Sequence, residues 1–259
     1  MRSAAPRLPW RRWRGIARGA FCAMGLWLGS SCGTGSAIAQ TAPQVVGAEY
    51  AAPTDRYDHG VLGDAIEWGA LVLRLRDCPT CAPRGVRLTL PQTRVFEDLA
   101  PRLIRTDSGQ TIAMVVESDL RRGARLALYG AEGLVTATPY IGRRNRWLAP
   151  VGAADLDGDG RVEIAYVDRP HLAKTLRVWR LEGERLSPVA DLAGLTNHSI
   201  GWDYILGGLR ECGTGPEMIL ADADWTRVMA VRLSAGQLTV TPLAPYRGRA
   251  DIDRALACG

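Results

Sequence analysis

The sequence predicts an all-β fold: a β-propeller of about four four-stranded blades, with five as the alternative. Three observations predict it. After residue 40 the chain is a series of short runs in which apolar residues alternate or cluster, among them "WGALVLRL", "TIAMVV", "ARLALYG", "VEIAYVD", "TLRVWRL", "EMILAD" and "RVMAVRL". Gly, Asp, Pro and Arg separate these runs, and a helical period is almost absent. Finally, the runs repeat. Thr111-Ile112-Ala113-Met114-Val115, Glu163-Ile164-Ala165-Tyr166-Val167 and Glu217-Met218-Ile219-Leu220-Ala221 fall into register at offsets of 52 and 54 residues. Each is followed by an acidic turn and a second apolar run. A sandwich has no reason to repeat at this period, whereas stacked four-stranded units do.

Residues 1–39 read as a removable secretory signal. Arg2, Arg7, Arg11, Arg12, Arg14 and Arg18 form a basic start, "GIARGAFCAMGLWLG" a short apolar core, and Ala37-Ile38-Ala39 a small-residue cleavage pattern. The core is too short and interrupted to span a membrane, which takes roughly 20 residues. Arg11-Arg12 leaves twin-arginine export open beside the general route. Cys32 in "LGSSC" offers a lipoprotein alternative, but Gly29 stands where a large aliphatic residue belongs, so cleavage and a secreted or periplasmic location are expected.

Removing this segment changes the charge. The chain has 32 basic and 27 acidic residues; six arginines and no acids lie in residues 1–39, so the remainder is nearly neutral. A nucleic-acid partner, which needs a concentrated basic face, is not expected.

Residues 40–259 then form one domain. A poorer copy of the repeat, "HGVLGDAIEWGALVLRL", supplies the first unit. In the third, Ile164 and Tyr166 share a strand face with Val162. In its next strand, Leu176 and Val178 share one face and Trp179 and Leu181 the other. Four cysteines remain: Cys78, Cys81, Cys212 and Cys258. The obvious pairs are Cys78 with Cys81 and Cys212 with Cys258, with the two other connectivities open. "CPTC" has no helix behind it to lower a thiol pKa, so a structural clip is expected there rather than a redox centre.

One stretch carries distinctive chemistry. Residues 155–163 read D-L-D-G-D-G-R-V-E. Asp155, Asp157 and Asp159 put carboxylates on alternate positions of a tight loop, Gly158 and Gly160 permit its path, the Arg161 carbonyl can add a ligand and Glu163 can close the cage. So many hard oxygen donors suit Ca²⁺. An EF-hand would need its glutamate at position twelve, where Tyr166 stands, and helical flanks, where strands are predicted. A solvated acidic turn is the bland alternative.

The stretch D-L-D-G-D-G-R-V-E-I resembles the signature of FG-GAP/VCBS-type repeats, found in the integrin α-subunit propeller and in secreted bacterial proteins. The resemblance covers residues 45–245 as repeat rhythm, with the metal motif present once. It implies a propeller used for adhesion, for carbohydrate or protein binding, or as a scaffold. It also implies a calcium site at Asp155, Asp157, Asp159, the Arg161 main chain and Glu163. The sibling loops depart from the pattern: Leu103, Arg105, Asp107 and Thr111 in the second unit, and Leu209, Glu211, Gly213 and Glu217 in the last. Neither is expected to hold calcium. Cys212 lies in the last of these loops, where a covalent staple could replace the metal.

His59, His171 and His198 accompany no catalytic motif, so they read as loop residues bonded to backbone, although His198 could meet Asp203, Asp222 and Asp224 at one end. Trp68, Trp147, Trp179, Trp202 and Trp225 read as packing between units. Arg143, Arg144 and Arg146 in "GRRNRW" read as a solvated loop, with an anionic polymer as the sharper alternative. The expectation is therefore a monomeric, calcium-binding module with a protein or carbohydrate ligand, no catalytic residues and no transmembrane span. The alternative is a propeller-fold hydrolase or lyase with its site in the loops at one end.

Overall fold

A computed structural model describes residues 43–259. The secretory segment read from residues 1–39, with Cys32, lies outside the described residues. The structure is all-β, built from three antiparallel sheets and one short helix. The first contains eight strands: β1 (Gln44–Thr54), β2 (Glu67–Arg76), β3 (Arg84–Thr89), β4 (Arg94–Phe96), β5 (Arg102–Arg105), β6 (Thr111–Asp119), β7 (Gly123–Gly130) and β8 (Gly133–Ala137). Three-residue β4 joins two meanders by pairing both with β2 at Trp68 and with the end of β6. The second sheet is a four-stranded meander of β9 (Leu148–Ala154), β10 (Val162–Asp168), β11 (Thr175–Glu182) and β12 (Arg185–Ala193). The third contains β13 (Leu195–Thr196), β14 (Gly208–Glu211), β15 (Pro216–Asp222), β16 (Arg227–Ser234) and β17 (Gln237–Pro245), followed by α1 (Arg249–Leu256).

The repeat seen in the sequence is a repeat of pairing. β6, β10 and β15 are the second strands of successive meanders, each pairing with its third strand (β7, β11, β16). β4 and β5 share one edge of β6, as β13 and β14 share one edge of β15.

Each central strand is buried on both faces, which is why these runs are continuously apolar rather than alternating. Along β6, Ala113 and Val115 pack with Leu71, Leu73 and Phe96 from the first meander. Ile112, Met114 and Val116 pack the opposite way, with Ile164, Tyr166 and Leu181 of the second sheet. From there Ala165 and Val167 turn to Met218 and Leu220 of the third. The predicted split along β11 is also seen: Leu176 and Val178 join the packing toward the third sheet, Trp179 and Leu181 that toward the first. The four units thus pack face to face in series.

The outer face of the last unit is covered by α1. Ile252 and Ala255 lie on Ile219, Val228 and Ala230, flanked by Trp202, Tyr204, Trp225 and Tyr246. The sequence reading did not find this helix, because eight residues with only Ile252, Ala255 and Leu256 apolar on one side leave too short a periodic signal. The loop after β1, in the first unit, reaches the loop after β13, in the last, where Gly201 N–H donates to the Val61 carbonyl at 3.2 Å.

Both expected disulfides are formed, Cys78–Cys81 and Cys212–Cys258. The first clips a turn. The second ties Cys258, two residues beyond α1, to the β14–β15 hairpin across a separation of 46 residues. Among the described residues no helix is long and apolar enough to cross a membrane. Loop-closure entropy predicts unequal losses on removing the bridges: about 4 kcal/mol for Cys212→Ser with Cys258→Ser, and about 2 kcal/mol for Cys78→Ser with Cys81→Ser. Urea unfolding of the two double variants checks this, and equal midpoints would show that α1 needs no staple.

Candidate functional site

The acidic hairpin joins β9 to β10. Asp155 organises its backbone: Oδ1 accepts from Gly158 N–H at 2.8 Å and Oδ2 from Gly160 N–H at 2.9 Å. Both glycines have positive φ, 80° and 86°, a conformation that L side chains rarely adopt. Asp159 Oδ1 accepts from Arg161 N–H, and Glu163 Oε2 from Leu156 N–H, each at 2.9 Å. One carboxylate oxygen from each of Asp155, Asp157 and Asp159 lies within 4.8 Å of the others. Two ligands on opposite sides of an ion at about 2.4 Å each would stand about that far apart.

The sequence reading missed a cation already present. Arg180, opposite Glu163 in the β10–β11 register, extends its guanidinium into the loop. Its Nε lies 2.6 Å from Glu163 Oε1, Nη2 2.7 Å from Asp157 Oδ2 and Nη1 3.2 Å from Asp159 Oδ2. Both Glu163 oxygens are thus engaged within the chain. Burial nonetheless raises the Glu163 carboxyl above its ordinary range, against the Arg180 contact and the Leu156 N–H. Asp157 Oδ1 is different. It is buried without a hydrogen-bond partner, on a side chain only 8% exposed.

The sibling hairpin between β14 and β15 repeats this device. Glu211 Oε1 accepts from Gly213 and Gly215 N–H, and Glu217 faces Arg232 as Glu163 faces Arg180. Here, however, Arg210 also holds Glu217 at 2.7 Å, so two arginines balance two glutamates. In the 155–163 hairpin four carboxylates face one interior guanidinium, and Arg161 turns away to Glu182. Like charges so close repel one another.

A second cluster gathers all three histidines, which sequence alone left scattered. His59 comes from the β1–β2 loop, His171 from the β10–β11 turn and His198 from the segment after β13. His59 Nδ1 lies 2.5 Å from Glu97 Oε1, and Ser118 Oγ donates to the other oxygen of this fully buried carboxylate. His171 Nε2 lies 2.9 Å from His198 Nδ1, while His198 Nε2 lies 3.0 Å from the Trp202 carbonyl. That carbonyl only accepts, so His198 carries its proton on Nε2 and His171 donates to it from Nε2. The expected backbone partner therefore holds for His198, whereas His59 and His171 bond to side chains. Among the described residues no hydrogen bond joins His198 to Asp203, Asp222 or Asp224; Asp222 instead accepts from Thr226 and Arg227 in its own turn.

Burial keeps both members of the pair neutral. It lowers His198, and it lowers His171 to about 4 with help from the nearby His198, His59 and Lys174 charges. Trp147, 2% exposed, stacks on His171 and meets His198 edge-on, with its Nε1–H on the Glu97 carbonyl at 2.9 Å. These groups border a cavity of about 270 Å³ lined by His59, Asn145, Arg146, Trp147, Arg169 and His171, with Leu172 and Ile200 at its rim. A larger cavity of about 460 Å³, around Thr106–Gln110 and Glu184, has no imidazole or guanidinium in its lining.

No family model matches the chain, and no curated protein matches it in sequence.

Buried acids lie beneath the histidines. Burial raises the Glu97 and Asp98 carboxyls, and it lifts Glu67 to about 9, reinforced by the charges of Glu97, Asp64 and Asp98. Glu67, 3% exposed, thus holds its proton in the fold between its ordinary value near 4.5 and about 9, whereas the unfolded chain releases it. Folding binds more protons than unfolding in that window, so this group's contribution to stability falls as pH rises. Glu67→Gln is expected to raise the melting temperature at pH 8.5 and to lose this advantage toward pH 5. Melts of both proteins across that range check it, and a pH-independent difference would mean that Glu67 folds ionised.

Proposed function

We propose that the chain is an exported, calcium-binding β-propeller of the FG-GAP/VCBS type, acting as a binding or scaffold module at the cell envelope. The observation that carries this reading is the charge imbalance of the 155–163 hairpin. Its sibling is neutral within itself, whereas this loop keeps three negative charges that Arg180 does not answer, together with the unpartnered Asp157 Oδ1. The donor set consists of oxygen atoms alone, which suits a hard divalent cation. Asp155, Asp157 and Asp159 would hold the ion, with the Arg161 carbonyl and Glu163 completing the set. The ion would supply charge neutralisation and order to the β9–β10 turn.

Serial packing of four-stranded meanders through both faces supports the propeller architecture, and the two disulfides support a compartment that keeps thiols oxidised. In that setting the module's work is done by its loops, and its ligand is a protein or a carbohydrate.

A second reading, a hydrolase or lyase, is favoured by one contact. Glu97 orients His59 as a carboxylate orients a general base. The pocket lining contains no Ser, Thr, Cys, Asp or Glu to serve as nucleophile or second acid, so binding leads.

Thermal melting with calcium and with chelator tests the cation. With an affinity of 10⁻⁴–10⁻³ M, as in extracellular sites, about 10 mM Ca²⁺ would add roughly 1.4–2.7 kcal/mol. That is a rise of about 3–10 °C for a domain of this size. Asp157→Ala is expected to abolish the rise. Arg180→Gln is expected to enlarge it, because the metal would then be the only cation inside the loop. Superimposable curves with calcium and chelator for the unaltered protein would remove the site.

A further inference from the structure

We propose that the histidine pocket binds a hydroxylated carboxylate the size of one sugar ring, a uronic acid unit, with Arg146 on its carboxylate and His59 and His171 on its hydroxyls. The inference deepens the binding-module reading but is built from residues outside the acidic hairpin, so it does not depend on calcium.

Charge sets the first requirement. Of the two arginines in the lining, Arg169 is committed: Nε donates to Asp168 Oδ1 at 2.8 Å and Nη2 to Oδ2 at 3.0 Å. Arg146 forms no ion pair among the described residues, and its one hydrogen bond runs from Nη1 to the Asn145 carbonyl at 3.0 Å. Its remaining N–H groups offer the forked pattern that carboxylates fit. The loop holding it is fixed from below. Arg146 O accepts from Ala124 N–H at 2.8 Å, and Gly123 leaves room for this approach, since a Cβ there would overlap the Arg143 and Arg146 carbonyl oxygens.

The imidazoles set the second requirement. The hydrogen-bond chain through His198 leaves Nδ1 of His171 as a lone pair. Nε2 of His59 also has no partner, and neither atom is among the buried unpartnered polar atoms, so both are open to solvent at the pocket they line. An acceptor nitrogen calls for a donor, which an ionised carboxylate or sulfate lacks. A hydroxyl donates and accepts, so it satisfies His171 and also His59 in either protonation state.

Size and rim set the third. About 270 Å³ accommodates a single ring rather than an extended chain, and Leu172 and Ile200, 63% and 70% exposed, offer apolar contact to a C–H face at the mouth. A negative group, several hydroxyls and an apolar face on one ring describe an acidic sugar.

Isothermal titration of the protein with D-glucuronate, D-galacturonate, D-glucose and acetate, and with an oligogalacturonate, tests this. The expected result is binding of at least one uronate, about tenfold or more tighter than glucose or acetate, since each lacks one half of the pattern. A tighter oligomer identifies a chain end as the natural source; equal affinity per molecule identifies the free sugar. Arg146→Gln should weaken the uronate about tenfold or more, Arg146→Lys less, and the exposed Arg143→Gln not at all. His171→Phe, which keeps a ring on Trp147 but removes the donor to His198 Nδ1, should lower the melting temperature by a few degrees and lose affinity while still folded. If that variant unfolds, the arginine series and the neutral-sugar comparison still decide. Uronate binding no tighter than acetate overturns the hydroxyl assignment. Equal affinity for glucose overturns the role of Arg146, and no heat with any uronate at about 10 mM overturns the site.

Discussion

Burial of the central strands on both faces is the constraint from which the rest follows. A strand covered on both sides has no polar face to present, so β6, β10 and β15 must be apolar along their length and every charged group beside them needs a partner. The acidic residues at their ends obey this. Glu117, at the end of β6, is fully buried and takes Arg94, Arg125, Tyr129 and Tyr140 around it. Glu163 and Glu217, at the starts of β10 and β15, each take an arginine from the adjacent strand. Beside these three strands, packing thus favours charge in matched sets at strand ends. The 155–163 hairpin stands out because its set is not matched.

The same rule separates the two hairpins that hold equivalent places in the strand pairing. At Glu217 the second arginine, Arg210, brings the loop to neutrality, and a disulfide adds a covalent tie. At Glu163 three aspartates replace those devices. Both solutions give the turn a fixed shape. One is neutral in itself, and the other keeps an excess of negative charge.

Much of the fold was legible because central strands are apolar throughout and successive side chains point to opposite faces. Ile164 and Tyr166 against Leu176 and Val178 could be assigned to faces without coordinates, and the 52- and 54-residue offsets foretold the equivalent positions of Glu163 and Glu217. Arg180 was not legible as part of the acidic loop. It lies 17 residues beyond Glu163, and only the antiparallel register brings it back. The histidine pocket was invisible for the same reason on a larger scale. His59 and His171 are more than a hundred residues apart, and nothing local marks either as a neighbour of Glu97 or Trp147. Sites made from loops of different units leave no spacing to read.

The helix that lies on the last sheet has a consequence for how the protein behaves under reducing conditions. A serial stack has terminal faces, and a bare one, lined here by Ile219, Val228 and Ala230, is an adhesive surface for another copy. Since that covering is tethered by sulfur to sulfur, thiol chemistry governs whether the surface is sealed. Where reductants prevail, the chain would carry a detachable lid over a sticky end, which favours clumping over solubility.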